Sequence, residues 1–307
     1  MIVRNGAQTI ERCISSIRPH VDEVCIYDTG STDATLELLG HLASEPGAPI
    51  IIEQGEWRDD FAWARNQSFA MASSDYAAFF DDDEALEGGE HLRTFLDGSP
   101  DGIYVQHVCV WNSDLVSWGM TLRAIKLSLR PQWESPVHAR LAVSLGCNSE
   151  RVAIDPSLTR VIHHALIQPG RHQHHRRLVE TALKQHPTPY LLHYLGLYLL
   201  EDGDLSGAAK AFTEAVTTPI PWRLRDLEWV IDTCELLVEC YARLDDEAGL
   251  VRALRTHALA RSMYQADPFR MLCRKLNDEA PIAGDDPLWT RYADDPRTET
   301  YRTADAA

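Results

Sequence analysis

Three consecutive aspartates carry the most specific chemistry of this sequence. They follow an apolar segment that ends in Phe79 and Phe80, and they are Asp81, Asp82 and Asp83. Because alternate side chains of an extended backbone point to the same side, we expect Asp81 and Asp83 to lie together at the end of a buried strand. Carboxylate oxygens are the ligands that Mg²⁺ and Mn²⁺ prefer. The run therefore predicts half of a divalent-metal site, although an acidic turn in solvent has the same composition.

Another carboxylate stands at the end of an earlier predicted strand. Segment 24–33 reads as a strand, then Asp28, then a turn at Gly30 and the start of a helix. In open α/β sheets, ligands bind at the carboxyl ends of the strands. If the two strands are neighbours, Asp28 lies beside Asp81. An ordinary capped turn would explain the glycine without any ligand.

The segment WRDDFAWARN at 57–66 opens a predicted helix that runs to about residue 72. Two further polar candidates, Arg65 and Asn66, follow the first turn of this helix. The planar fork of an arginine suits a phosphate group. Either residue taken alone would also fit a helix surface that binds nothing.

The order of these segments resembles family 2 glycosyltransferases, which have the GT-A fold and use nucleotide-activated sugars. The matching segments are MIVRN at 1–5, YDTGSTD at 27–33, WRDDFAWARN at 57–66 and FFDDDEAL at 79–86. They are most similar to the branch that often carries tetratricopeptide repeats (TPR) and includes lipopolysaccharide-core glucosyltransferases and bacteriocin S-glycosyltransferases. The motifs lie within residues 1 to about 90, and a weaker likeness continues to about 170.

The resemblance implies an α/β fold class. A GT-A nucleotide-sugar-binding domain with a mainly parallel, Rossmann-like sheet would be followed by an all-α, TPR-like helical domain. We expect the GT-A domain at 1–170, the helical domain at 171–280 and an acidic tail at 281–307. The small and large residues of one repeat are recognisable between residues 192 and 215. Since fewer than three repeats seldom stand alone, we expect this unit to pack on the catalytic domain or to form a homodimer.

The resemblance also implies roles for individual residues. The nucleotide sugar would be bound by Val3, Asn5, Asp28, Arg65, Asn66 and Asp82. The cofactor, Mn²⁺ or Mg²⁺, would be held by Asp81, Asp83 and His163. An imidazole beside two carboxylates suits Mn²⁺ better than Mg²⁺; a satisfied, partly buried histidine is the alternative for His163. The donor would be a UDP-sugar, with UDP-glucose or UDP-N-acetylglucosamine expected.

The catalytic base departs from the family pattern. A family segment ending in Val-His-Glu is represented here by Val137, His138 and Ala139, so the acidic side chain is missing. Glu134 and Asp114 are the candidates to accept the acceptor's proton during an inverting transfer. The acceptor itself stays open between a glycan, a peptide side chain and a modified nucleobase.

Two other classes of function are compatible with the same motifs. A sugar-phosphate nucleotidyltransferase would share the nucleotide-binding half and the metal carboxylates, but it would release pyrophosphate. A catalytically degenerate domain could instead serve as a repeat-bearing interaction protein. The intact aspartates and the Arg65-Asn66 pair speak against the degenerate domain, whereas Ala139 speaks for it.

Composition bounds these possibilities. The chain has 307 residues, 45% of them hydrophobic, and a formal net charge of −17, which argues against bulk nucleic-acid binding. No apolar run approaches the roughly 20 residues that span a bilayer. The seven cysteines form no CxxC pair, which favours buried thiols and a cytoplasmic location. One local basic run, RHQHHRR at 171–177, fits either a solvated helix start or a contact to phosphates.

Overall fold

The computed structural model describes residues 1–111, 114–143, 145, 149–165, 170–218 and 227–279. Short strands and helices alternate up to residue 165, and the chain is helical from residue 171 onward. The first elements are β1 (Ile2–Val3), α1 (Ile10–Ile17), β2 (Val24–Asp28), α2 (Thr35–Ser44), β3 (Ile50–Gln54) and α3 (Phe61–Ala70).

The first sheet is parallel, with the strand order β1-β2-β3. Helix α1 covers it with residues spaced three and four apart, and Ile10, Ile14 and Ile17 are all buried. This spacing places one apolar stripe of the helix against the sheet. Leu39 of α2 and Ile26 of β2 complete the same core.

The second sheet is mixed and has six strands. Its elements are β4 (Tyr76–Ala78), β5 (Glu84–Glu87), β6 (Gly102–Trp111), β7 (Asp114–Lys126), β10 (Arg151–Ala153) and β11 (Arg160–Ala165). The order is β4-β7-β6-β11-β5, and β10 pairs with β6. A separate two-stranded ribbon joins β8 (Trp133–Glu134) to β9 (Arg140–Leu141). The long β6–β7 hairpin and β11 form the back wall of the candidate site.

The three aspartates do not lie on an extended strand as expected. Strand β4 ends at Ala78, and the aspartates form a turn that Glu84 closes by donating its N–H to the carbonyl of Asp81 at 3.1 Å. Strand β4 pairs with β7 in the second sheet, whereas Asp28 ends β2 in the first sheet. The condition under which Asp28 would lie beside Asp81, that the two strands are neighbours, is therefore not met among the strand pairs that the structure describes.

Six helices form the second half of the described chain. They are α4 (Arg171–Gln185), α5 (Pro189–Glu201), α6 (Leu205–Thr217), α7 (Leu227–Arg243), α8 (Glu247–Gln265) and α9 (Pro268–Glu279). Helices α6 and α8 begin alike, since Asp204 accepts the N–H of Gly207 and Asp246 accepts that of Gly249, each at 2.8 Å. These repeated N-caps mark two similar helix pairs, α5–α6 and α7–α8. The predicted tail at 281–307 lies outside the described residues.

The helical half contacts the α/β half at two places. At the rear, Arg151 of β10 makes two hydrogen bonds of 2.9 Å to Asp267, and Tyr104 packs on Phe269 of α9. At the front, the ring of His138 stacks on Tyr194 of α5 with centroids 3.6 Å apart. These contacts tie α9 and α5 to the α/β half.

Two features of the described residues bear on the cellular setting. The six described cysteines are all free thiols, and four of them are buried. Over the described residues, no helix combines the length and the apolarity that crossing a membrane requires.

Candidate active site

A cavity of about 520 Å³ brings the conspicuous motifs together. Its walls come from β1 and the loop after it, the turn after β2, the aspartate turn, α3, the 138–139 loop, β11 and the start of α4. Five of the predicted residues lie in it with the metal candidate His163, namely Val3, Arg65, Asp81, Asp82 and Asp83. The structure thus joins segments that are up to about 170 residues apart in sequence.

Asp83 and His163 form the corner best suited to a metal ion. Asp83 Oδ2 lies 3.1 Å from His163 Nε2. Burial alone would lower the pKa of His163, but hydrogen bonds to Asp83 and Cys109 outweigh it and raise this pKa to about 10. Carboxylate oxygen and imidazole nitrogen together are a suitable donor set for Mn²⁺.

A buried charge network lies directly behind this corner. Glu84 accepts hydrogen bonds from Arg123 at 2.7 Å and from the N–H of Asp81 at 2.9 Å, and it lies 3.1 Å from His107 Nε2. Burial alone would raise the pKa of Glu84, but Arg123 and His107 hold it well below its usual range. The network therefore fixes the aspartate turn.

Glu84 also belongs to a second possible metal group. The ligand atoms of Glu84, His107 and His163 lie within 4.8 Å of one another. However, Glu84 is only 3% exposed and is neutralised by Arg123, so an ion there would compete with an existing ion pair. In the sequence, Glu84 is marked by its place directly after the aspartates. No sequence signal marks His107 or Arg123, because only the folded sheet brings them to this place from strands β6 and β7.

Arg65 is held by one of the aspartates and by a tryptophan. Its Nη2 lies 2.5 Å from Asp81 Oδ1, and its guanidinium lies over the Trp133 ring at 4.7 Å. Asp82 accepts a hydrogen bond from Thr9 Oγ1 at 2.8 Å. Burial raises the pKa of Asp82 to about 6, although the bond from Thr9 opposes the shift.

Three residues predicted to bind the nucleotide do not line the cavity. Asn5 receives the N–H of Thr32 at 2.8 Å and so ties two loops together. Asp28 is 1% exposed, and its Oδ1 accepts the N–H groups of Gly30 and Ser31 at 2.9 Å. Asn66 bonds the backbone of Trp133. All three hold the segments from which cavity residues project.

The helical half supplies one wall of the cavity. Arg171, His174 and His175 of α4 line it together with His138 and Ala139. His138 Nε2 lies 2.7 Å from the hydroxyl of Tyr198. Burial, to which neighbouring histidines and Arg171 add, lowers the pKa of His138 to about 3. The ring is therefore neutral at physiological pH and serves as a packed contact between the two halves.

A larger cleft of about 1100 Å³ adjoins the cavity. His174 lines both spaces. Glu134 lines this cleft rather than the smaller cavity that holds the three aspartates, here called the aspartate cavity. Glu134 pairs with Arg140 at 3.1 Å. Asp114 begins strand β7, and its side chain lies outside the part of the chain that the structure describes.

Two proteins of known sequence are similar to parts of this chain. A stretch of 224 residues is 32% identical to a TPR repeat-containing protein of Synechococcus elongatus, covering 68% of this chain and 54% of that protein. A stretch of 83 residues is 31% identical to the SPbeta prophage-derived glycosyltransferase SunS of Bacillus subtilis, covering 27% of this chain and 19% of SunS. The chain thus spans about half the length of the first relative, and the match spans a fifth of the second.

The fold resembles a solved structure. S. aureus TarS 1–349 superimposes with a TM-score of 0.50 at 16% identity, over 85% of this chain and 90% of that one. The fold class is the expected one, a GT-A domain followed by TPR-like helices. Residues 1–150 match the family described as "Glycosyl transferase family 2", and this part of the chain therefore belongs to glycosyl transferase family 2.

Proposed function

We propose that this chain is a metal-dependent, inverting glycosyltransferase that moves a sugar from a nucleotide-sugar donor to an acceptor. The observation that carries the proposal is the meeting of Asp83 and His163, 3.1 Å apart, in the cavity that holds the three aspartates. Asp83 lies within the family 2 match at 1–150. These two residues, with Asp81 nearby, would hold Mn²⁺ or Mg²⁺. The bound ion would neutralise charge on the departing diphosphate.

The proposed donor is a UDP-sugar, either UDP-glucose or UDP-N-acetylglucosamine. Val3 and Thr29 line the part of the cavity next to the first sheet, and the nucleoside would lie there. Asn5 and Asp28 would act by holding the loops around it. Arg65 would exchange its ion pair with Asp81 for a phosphate contact once a cation neutralises the aspartates.

The acceptor would enter through the larger cleft. Its volume of about 1100 Å³ is above the usual range of small-molecule pockets, roughly 300–1,000 Å³, which favours an extended acceptor. A glycan, a peptide side chain and a modified nucleobase all remain within the proposal. Glu134, in the wall of this cleft, and Asp114 are the proposed bases that would take the acceptor's proton.

The test combines donor binding with one variant in which a neutral amide replaces a carboxylate. Thermal unfolding is followed with UDP-glucose, UDP-N-acetylglucosamine and GDP-mannose, each with and without Mn²⁺, because a ligand that binds the folded state raises the melting temperature. We expect a Mn²⁺-dependent shift with a UDP-sugar. We expect Asp83→Asn to lose that shift, and the exposed control Asp97→Asn to keep it.

The products separate this function from its rival. Turnover that releases a nucleoside diphosphate supports glycosyl transfer. Formation of pyrophosphate from a sugar phosphate and a nucleoside triphosphate would assign nucleotidyl transfer instead. If none of the three nucleotide sugars raises the melting temperature of the wild-type chain, with or without Mn²⁺, the result contradicts the proposal and favours an interaction protein.

Two further expectations belong to the same proposal. Self-association through the helical half is supported by exposed leucines on its outer helices, among them Leu254 and Leu259 of α8 and Leu272 of α9. A cytoplasmic location is supported by the free thiols of the six described cysteines, since reducing compartments keep thiols in this form.

A further inference from the structure

Helix α4 distributes its basic residues over different surroundings. His172 and Arg176 face the end of α5, where they pair with Glu201 and Asp202. Arg171, His174 and His175 instead line the aspartate cavity. The basic run at 171–177 is therefore not one solvated face, because part of it points into the site.

Arg171 lines this cavity without pairing with an acidic side chain of the part of the chain that the structure describes. Among the described residues it has no ion pair and no hydrogen bond. Arg65, in contrast, is already bonded to Asp81 and covered by the Trp133 ring. Arg4 is the other arginine in the cavity wall without an ion pair to a described residue.

Arg171 keeps its positive charge at physiological pH, whereas two neighbouring histidines of the cavity do not. His175 packs edge-on against Phe61 and His138, with ring centroids 5.7 and 5.6 Å apart. Burial, followed by the charge of Arg171, lowers the pKa of His175 to about 4. Both His138 and His175 are therefore neutral at physiological pH.

The aspartates of the same cavity indicate what such a cation would bind. Asp81, Asp82 and Asp83 line the cavity with negative charge, beside which a diphosphate would bind only with a cation between them. Phosphate oxygens that do not bind the ion would then be free to contact Arg171. A planar guanidinium binds such oxygens through two parallel hydrogen bonds.

We infer that Arg171 is a phosphate-binding residue by which the helical half completes the site for a nucleoside diphosphate group. This inference rests on the proposed function and adds a residue outside the family 2 domain to it. Contacts between the halves hold α4 in place, since Phe61 and His138 pack on His175 of this helix. Val137 also shares a core with Leu178 and Val179 of α4. The family 2 domain alone would therefore have an incomplete diphosphate site.

The experiment measures product binding rather than turnover. UDP, GDP, CDP and ADP are titrated calorimetrically, with Mn²⁺, into the full chain and into Arg171→Met. We expect the variant to bind the preferred nucleoside diphosphate about ten-fold more weakly or worse. Arg171→Lys keeps the charge but loses the fork, so we expect an intermediate affinity. Uridine or the matching nucleoside, which lacks phosphates, should bind both forms alike.

Lys184→Met is the matched control, because Lys184 lies on the same helix, is exposed and lines neither cavity. It should bind like the wild type. Equal affinity of Arg171→Met and wild type would overturn the inference while the proposed function stands. If the wild-type chain binds none of the four nucleotides, the proposed function fails, and the inference fails with it.

Discussion

Asn66 fixes the residue that supports Arg65 at the site. Its Nδ2 donates to the Trp133 carbonyl at 3.0 Å, and its Oδ1 accepts the Trp133 N–H at 2.8 Å. Trp133 is 7% exposed and packs edge-on against Phe79 with centroids 4.8 Å apart. Asn66 thus joins α3 to β8 and holds the ring over which the Arg65 guanidinium lies.

We predict that Asn66→Ala lowers the free energy of unfolding. The change leaves two backbone groups of Trp133 unpaired, and each buried unpaired group costs about 1–3 kcal/mol. Urea unfolding of the full chain measures the loss. Asn66→Asp keeps an acceptor for the N–H but loses the donor, so its loss should be smaller. Wild-type stability of Asn66→Ala together with weaker nucleotide binding would instead make Asn66 a ligand contact.

At the scale of single residues, the sequence predicts some of the side chains that lie together better than it predicts what each of them contacts. Asp83 and His163 meet as the resemblance implied, although 80 residues separate them. The roles of Asn5 and Asn66 could not be predicted, because an amide that bonds a distant backbone has the same local pattern as one that bonds a ligand. Only the packing of α3 on β8 distinguishes the two.

Among the elements, the α5–α6 pair depends on one glycine. A Cβ added to Gly196 would lie 2.3 Å from the ring of Phe212, which is fully buried and cannot move aside. The glycine therefore lets the two helices approach closely. This close approach is what the small-and-large pattern at 192–215 predicts.

We predict that Gly196→Ala destabilises the chain by about 1–3 kcal/mol, the usual result of overpacking a core. Gly40→Ala is the matched control, because Gly40 lies in α2 and a Cβ added there would have no neighbouring atom within 4 Å. In a helix interior this change should stabilise by roughly 0.5–1 kcal/mol. Thermal unfolding of the two variants should therefore shift in opposite directions. A stabilised Gly196→Ala would show that the helices lie further apart.

The order of elements is predictable from the sequence, but their pairing is not. Periodicity places the α5–α6 pair, because the small and large residues at 192–215 follow a local spacing. It fails at Asp81–Asp83, where a turn replaces the expected strand end. The reason is Glu84, whose carboxylate takes the N–H of Asp81 while bonding Arg123 from β7. That partner lies about 40 residues away and leaves no mark on local periodicity.

At the scale of the whole molecule, one buried ion pair joins the two halves at the rear. Arg151 donates two hydrogen bonds of 2.9 Å to Asp267, and these side chains are 6% and 0% exposed. Asp267 also accepts the N–H of Phe269, which starts α9. The pair therefore fastens α9 to β10, on the side of the molecule that does not carry the cavity.

We predict that Asp267→Asn destabilises the full chain by about 3–5 kcal/mol, because it leaves the buried Arg151 without its counter-charge. Asparagine keeps an oxygen for the Phe269 N–H, so the helix start is preserved. Glu239→Gln is the control, since it removes an exposed pair with Arg243 that contributes at most about 0.5 kcal/mol. Urea unfolding at neutral pH measures both. A loss no larger than that of the control would show that the two halves are held together elsewhere.

The pH dependence of the stability difference between wild type and Asp267→Asn tests whether this difference is electrostatic. The hydrogen bonds from Arg151 hold the pKa of Asp267 below its ordinary value. A carboxyl whose pKa is depressed in the folded state contributes stability above its unfolded pKa, about 3.9, and loses it as the pH falls through the folded pKa. The stability gap between wild type and Asp267→Asn should therefore be full at pH 6 and narrow below about pH 4. A gap that stays constant down to pH 3 would assign the loss to packing of α9 rather than to charge.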